Sequence, residues 1–140
     1  MKKILFALLF IGVLATAQES TLYQRLGGYD KISALLTDFH VRLKNDAQLG
    51  RFWRYRGNDG KERELQLLID FVCEQTGGST HYSGRDMPTT HIGMMISQSD
   101  WEIFLKLLNE SMKKYHIQDK EKQEILAFMD SLKSSMVEVK

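Results

Sequence analysis

The segment GGSTHYSGRDMPTTHIGMMI, Gly77 through Ile96, interrupts an otherwise helical pattern and decides how the chain is read. Its paired glycines end one amphipathic run, and the next run does not begin for about twenty residues, which is long for a connection inside a compact helical domain. Connections of that length usually have work to do. Pro88 suits the first turn of a short helix, and such a helix points Met87 and His91, four residues apart, at one space. Imidazole is the commonest protein ligand for metals, and a half-buried histidine closing a loop fits the same spacing.

Outward from this segment the periodicity is helical. Ile32, Leu35, Leu36, Phe39 and Leu43 recur at steps of three and four, and His40 lies on that same face. A helix is expected over about Lys61 to Gln75, with Leu65, Leu68, Ile69 and Val72 as its stripe, widened by Leu67 and Phe71. After the segment, Ser99 with Glu102 has the form of a capping box, and Trp101, Phe104, Leu105, Leu108, Met112 and Tyr115 follow at helical spacing. Asp119 is the expected N-cap of a last helix that turns Ile125, Met129, Leu132 and Met136 inward. Arg54 to Gly60 reads as a polar loop. No run alternates with period two, so the class is all-α.

Composition narrows the function. The 140 residues suffice for one core; 43% hydrophobic, 26% charged and a single proline describe a globular chain rather than a disordered or polytopic membrane one. A net charge of +1 is no field for gripping nucleic acid. Cys73 is alone, so there is no internal disulfide and no thiolate cage; it reads as a small buried hydrophobe. Any metal site must use nitrogen.

The amino terminus reads as an address. Lys2 and Lys3 precede an apolar run from Ile4 to Ala15, and Ala15-Thr16-Ala17 supplies small residues for cleavage after Ala17. The expected organisation is a signal peptide over 1–17 and a single domain over 18–140. Removal of the leader turns the net charge from +1 to −1. The mature protein is then exported, in a bacterium to the periplasm, with no stable membrane insertion; an uncleaved leader acting as an anchor is the alternative.

Taken together, Leu22-Tyr23, Leu26-Gly27-Gly28, Asp38-Phe39, Arg42, Leu49, Phe52-Trp53 and the ordered series Gly77-Gly78, Tyr82, Gly84, Met87, His91, Ile96 resemble the group 1 truncated haemoglobins over nearly all of residues 21 to 137. The resemblance implies a two-over-two helical sandwich around haem, with His91 as the proximal iron ligand. Its second ring nitrogen would be held by a backbone carbonyl near Met87 or by the Thr90 hydroxyl. It also implies that Phe39, Trp53, Leu68, Phe71 and Met87 pack against the porphyrin, and that Tyr82 and Arg85 lie near its rim, where either meets a propionate. For Trp53 an ordinary core position, and for Arg85 a solvated surface position, stand beside these roles. His81 either meets a propionate in the same way or faces water, His116 reads as a surface cation at a helix end, and the methionines at 87, 94, 95, 112, 129 and 136 read as core filler.

The departures are on the distal side. After Phe39 the family usually carries Tyr, and here it is His40, placed to donate a hydrogen bond to a bound gas, to enter as a sixth ligand, or simply to sit satisfied in the core. Counted back from Gly77-Gly78, the family's polar distal positions fall on Glu64, Leu67 and Leu68, which leaves His40 as the sole strong polar group over the iron. The expected function is reversible binding of a diatomic gas, oxygen or nitric oxide. The competing expectations are a nitric-oxide dioxygenase or peroxidase-like enzyme, a bis-histidine electron-transfer protein with a redox partner, and a haem-free helical module.

Overall fold

The computed structural model describes residues 19–139, and their regular structure is helical apart from one isolated parallel bridge between Ser97 and Val139. The expected leader, residues 1–17, lies outside the described residues. Six α-helices follow in order: α1 (Leu22–Arg25), α2 (Gly28–Asn45), α3 (Asn58–Gln75), α4 (Met87–His91), α5 (Gln98–Lys114) and α6 (Asp119–Leu132). A 3-10 turn, Leu49–Trp53, joins α2 to α3, and a second, Lys133–Ser135, follows α6.

Helix α2 is the hub. It packs against α3, α5 and the 49–53 turn, and α1 braces it from the side. Its predicted stripe is the observed one, because Ile32, Leu35, Leu36, Phe39 and Leu43 are all buried. Leu108 and Met112 of α5 and Ile125 and Met129 of α6 complete the other layer of the two-over-two sandwich. Each large side chain withdrawn from water in this way stabilises by about 1.5–3 kcal/mol.

Polar clasps hold the layers in register. Asp38 on α2 accepts from Arg42 Nε (2.7 Å) and from Ser111 Oγ on α5 (2.8 Å), and Lys114 completes the set. Burial pushes the Asp38 carboxyl up, but these three donors outweigh it and bring it down to about 2. Asp100, 1% exposed, takes both arms of Arg51 at 2.8 and 2.6 Å and is held well below the ordinary carboxylate range by that guanidinium first.

Helix ends differ from expectation in three places. The α5 capping box is Ser97 with Asp100 rather than Ser99 with Glu102, since Ser97 Oγ accepts from Asp100 N–H and Asp100 Oδ2 from Ser97 N–H. Asp119 is the first residue of α6, and Gln118 is its cap. Helix α3 begins at Asn58, inside the expected loop, because the chain leaves Gly57 extended and turns at once.

The paired glycines have a packing reason. Gly77 lies at φ +93°, and a Cβ there would stand 2.9 Å from the Thr21 side chain; at Gly78 it would stand 2.8 Å from both the Tyr23 ring and the Cys73 carbonyl. Tyr23 N–H donates to Thr76 O (2.8 Å), so α1 is stitched onto the end of α3 at the point where the unusual segment begins.

Candidate functional site

The segment 77–96 delivers His91 on a very short helix. Asp86 caps α4, its carboxylate accepting from Thr89 N–H at 2.8 Å, and Pro88 occupies the first turn as expected. No residue of α4 is fully buried. His91, half-buried, places Nδ1 2.9 Å from Met87 O. A carbonyl only accepts, so Nδ1 carries the proton and the lone pair of the neutral ring sits on Nε2. Thr90 takes no part, because its hydroxyl donates back to Asp86 O at 2.8 Å. Of the two anticipated supports for the ring, the backbone one is present.

Upstream, Tyr82 folds its hydroxyl onto Arg85 O (2.7 Å) and lays its ring edge-on to Phe71 with centroids 5.1 Å apart. Gly84 is needed under that phenol, since a Cβ would come within 2.2 Å of the Tyr82 hydroxyl. The Tyr82–Gly84 spacing is therefore a single packed turn. Arg85 and His81 are exposed, the latter beside Glu74 at 3.2 Å. His116 is exposed as well, at φ +55° just past α5.

On α2, Phe39 is buried edge-on to Phe104 (5.0 Å) and His40 is 2% exposed. Among the described residues, His40 Nε2 is the one buried side-chain nitrogen or oxygen with no hydrogen-bond partner. Trp53 stands edge-on to it at 5.9 Å and donates its indole N–H to Glu64 Oε1 at 2.8 Å. That same oxygen lies 3.7 Å from His40 Nε2, too far for a hydrogen bond, while Arg56 holds Oε2 at 2.6 Å. Burial raises the Glu64 carboxyl, yet the neighbouring imidazole, the indole N–H and the Arg56 guanidinium together keep it below its ordinary value. His40 is thus not alone: a charged carboxylate and an indole stand beside it. The sequence places Glu64 at a distal position but carries no sign that Trp53, eleven residues earlier, would bind it. Leu67 and Leu68 are half-buried, and Leu68 packs against the core.

One correction concerns a bystander, and one reading holds. Met95 is 62% exposed rather than core, whereas Met112 and Met129 are buried as expected and Met87, Met94 and Met136 lie between. Cys73 is fully buried, and burial pushes its thiol up, which suits a packing residue.

These features fit a porphyrin-held iron. Such an iron would take one imidazole of fixed orientation, and His91 has its ring held by Met87 O; a buried nitrogen without a partner, as on His40, would be free to meet a ligand. Among the described residues no group of three or more His, Cys, Asp or Glu is placed to hold a bare metal ion.

Comparison with known proteins points the same way. The family model described as bacterial-like globin matches residues 21–138. A group 1 truncated haemoglobin from Nostoc sp. is 30% identical over 93 residues, 66% of this chain and 76% of that protein. One from Tetrahymena pyriformis is 24% identical over 102 residues, 73% of this chain and 82% of its own length. The crystal structure of the Tetrahymena pyriformis truncated haemoglobin in its Fe(III) form superposes with a TM-score of 0.77 at 22% identity, covering 84% of this chain and 98% of that one. A group II truncated haemoglobin from Bacillus anthracis gives 0.77 at 17% identity, with 87% and 94% covered. Fold and relatives agree: the chain belongs to the bacterial-like globin family, as a haem-binding truncated haemoglobin of group 1.

Proposed function

We propose that this globin holds haem through Nε2 of His91 and reversibly binds a diatomic gas, oxygen or nitric oxide, on the side faced by His40. The observation that carries this reading is the Nδ1–H of His91 donated to Met87 O at 2.9 Å, which orients the ring and leaves the opposite nitrogen basic. Haem supplies reversible ligation of the gas; the chain supplies binding, orientation and a dry, apolar surround. Phe39, Leu68, Phe71, Met87 and Trp53 line the slot, and Tyr82 and Arg85 are the groups near its rim.

His40 Nε2 is the donor offered to the gas. Its burial keeps water from competing for that nitrogen. A second reading rests on the same unpartnered nitrogen, which is equally available to serve as a second axial ligand.

The test is the visible spectrum of the haem-reconstituted protein. His91→Gly is expected to abolish the native Soret band and to recover it in imidazole; a band unchanged by that substitution overturns the assignment. His40→Ala then divides the two readings. A faster oxygen off-rate with an unaltered deoxy ferrous spectrum marks a hydrogen-bond donor, and loss of a low-spin ferrous form marks a second ligand. We further propose export, on the strength of the Lys2-Lys3 start, the apolar run and Ala15-Thr16-Ala17. The mature amino terminus in the native host is expected at Gln18, and a membrane-bound form retaining residues 1–17 indicates the anchor instead.

A further inference from the structure

Glu138 lies in the short tail beyond the last helical turn, far in sequence from every group discussed above. Its Oε1 accepts from Gly93 N–H at 2.8 Å and its Oε2 from Met95 N–H at 2.6 Å. The tail backbone reinforces this grip. Glu138 N–H and Val139 N–H both donate to Ile96 O, at 2.9 and 3.1 Å, and Gln98 N–H donates to Val139 O at 3.0 Å. One carboxylate and three main-chain bonds therefore clasp residues 93–98, the stretch that begins two residues after His91.

That stretch has little else to hold it. Ile92 is 77% exposed and Met95 62%, so neither anchors the turn in the core. Gly93 at φ +79° and Met95 at φ +55° are both in the left-handed region, which a methionine adopts only when its surroundings impose it. The two N–H groups these conformations turn outward are the pair that Glu138 binds. Helix α4, with no fully buried residue, has Asp86 fixing its start, and Glu138 is the corresponding anchor past its end.

We propose that Glu138 is a positioning residue for the proximal ligand: through Gly93 and Met95 it fixes the carboxyl end of the His91 helix and so sets how firmly that imidazole meets the haem. The inference rests on His91 being the ligand. By clamping the turn, the charge-assisted bonds limit movement of α4 away from the 133–135 turn it packs against. The carboxy-terminal tail is then part of the haem site, although it touches neither iron nor gas.

The experiment compares the full chain with Glu138→Ala and Glu138→Gln, with Asp130→Ala as a control on an exposed carboxylate elsewhere. In the haem-free protein, amide exchange at Gly93 and Met95 is expected to quicken by about tenfold or more in Glu138→Ala, less in Glu138→Gln, and not in the control. In the haem-loaded ferrous protein, the iron–histidine stretching band is expected to shift or broaden in Glu138→Ala, and transfer of haem to an acceptor apoprotein to speed up. Unchanged exchange at both amides overturns the clamp. Faster exchange with an unmoved stretching band and unchanged haem transfer overturns the positioning role. A Soret band indifferent to His91→Gly overturns the ligand assignment and the positioning role with it, and the exchange data then still report whether the clamp exists.

Discussion

The two sides of the candidate haem slot are built on different principles. His40 projects from the middle of an eighteen-residue helix whose neighbours on the same face are the core itself, with Phe39 and Leu43 buried on either side. His91 projects from a five-residue helix with nothing fully buried, held by a cap at one end and a tail carboxylate beyond the other. One side is rigid because the fold cannot exist without it. The other is positioned by a few hydrogen bonds and can be loosened while the fold stays intact, which is where a protein can adjust ligand strength independently of stability.

Phe39→Ala breaks the comparison most severely. It removes a buried ring packed edge-on to Phe104 and should lower the stability of the haem-free chain by about 3–5 kcal/mol, read from urea unfolding. His91→Ala in the same assay should leave the midpoint nearly unchanged. If the two variants lose equal stability, the proximal side is as much a part of the core as the distal side.

Acid sharpens the same contrast, because Asp38 clasps α2 to α5, whereas the carboxylates of Asp86 and Glu138 hold only the ends of α4. The folded pKa of Asp38, down to about 2, lies below the unfolded value near 3.9, so its contribution is fully present above about pH 4 and is lost as pH falls towards 2. Asp38→Asn should remove about 1–2 kcal/mol at pH 7 and flatten the stability curve across that window. An equally steep acid limb in the variant shows that other carboxylates, Asp100 first among them, govern it.

What could be read from the chain follows the same division. The α2 stripe and its histidine were legible because helical periodicity is a local signal repeated many times. His91 was legible through the order of Gly77-Gly78, Tyr82, Gly84 and Met87, and those glycines proved to be spaces demanded by Tyr23, Thr21 and Tyr82. The start of α5 was misplaced because two overlapping serine-to-acid spacings compete locally; Arg51 and Gln48, about fifty residues earlier, tie down Asp100. Glu138 was invisible for the same reason: a polar tail residue becomes meaningful only when the fold brings it to backbone donors more than forty residues away.

Glu64→Leu tests the polar part of the distal wall. It strands the Trp53 indole N–H and removes the charge beside His40, so the haem-free chain should lose about 1–2 kcal/mol. Trp53 fluorescence should change with it, and Glu64→Gln, which keeps an acceptor for the indole, should restore most of the loss. A Leu variant as stable as the parent means that the indole finds water or another acceptor, and that the distal wall is less dry than its burial indicates.

The smallest global effect belongs to Asp86→Ala. The cap satisfies Thr89 N–H at 2.8 Å, and without it the first turn of α4 has no acceptor there but water. On a long buried helix such a loss spreads through the cooperative unit and shifts the unfolding midpoint. On α4 it should remain local, because the helix contributes no fully buried side chain to the cluster that unfolds. The urea midpoint should therefore stay within error of the parent, while exchange at Thr89 and Thr90 quickens and haem transfer to an acceptor accelerates. A shifted midpoint would mean that α4 unfolds together with α2, and the proposed independence of the two sides would be lost.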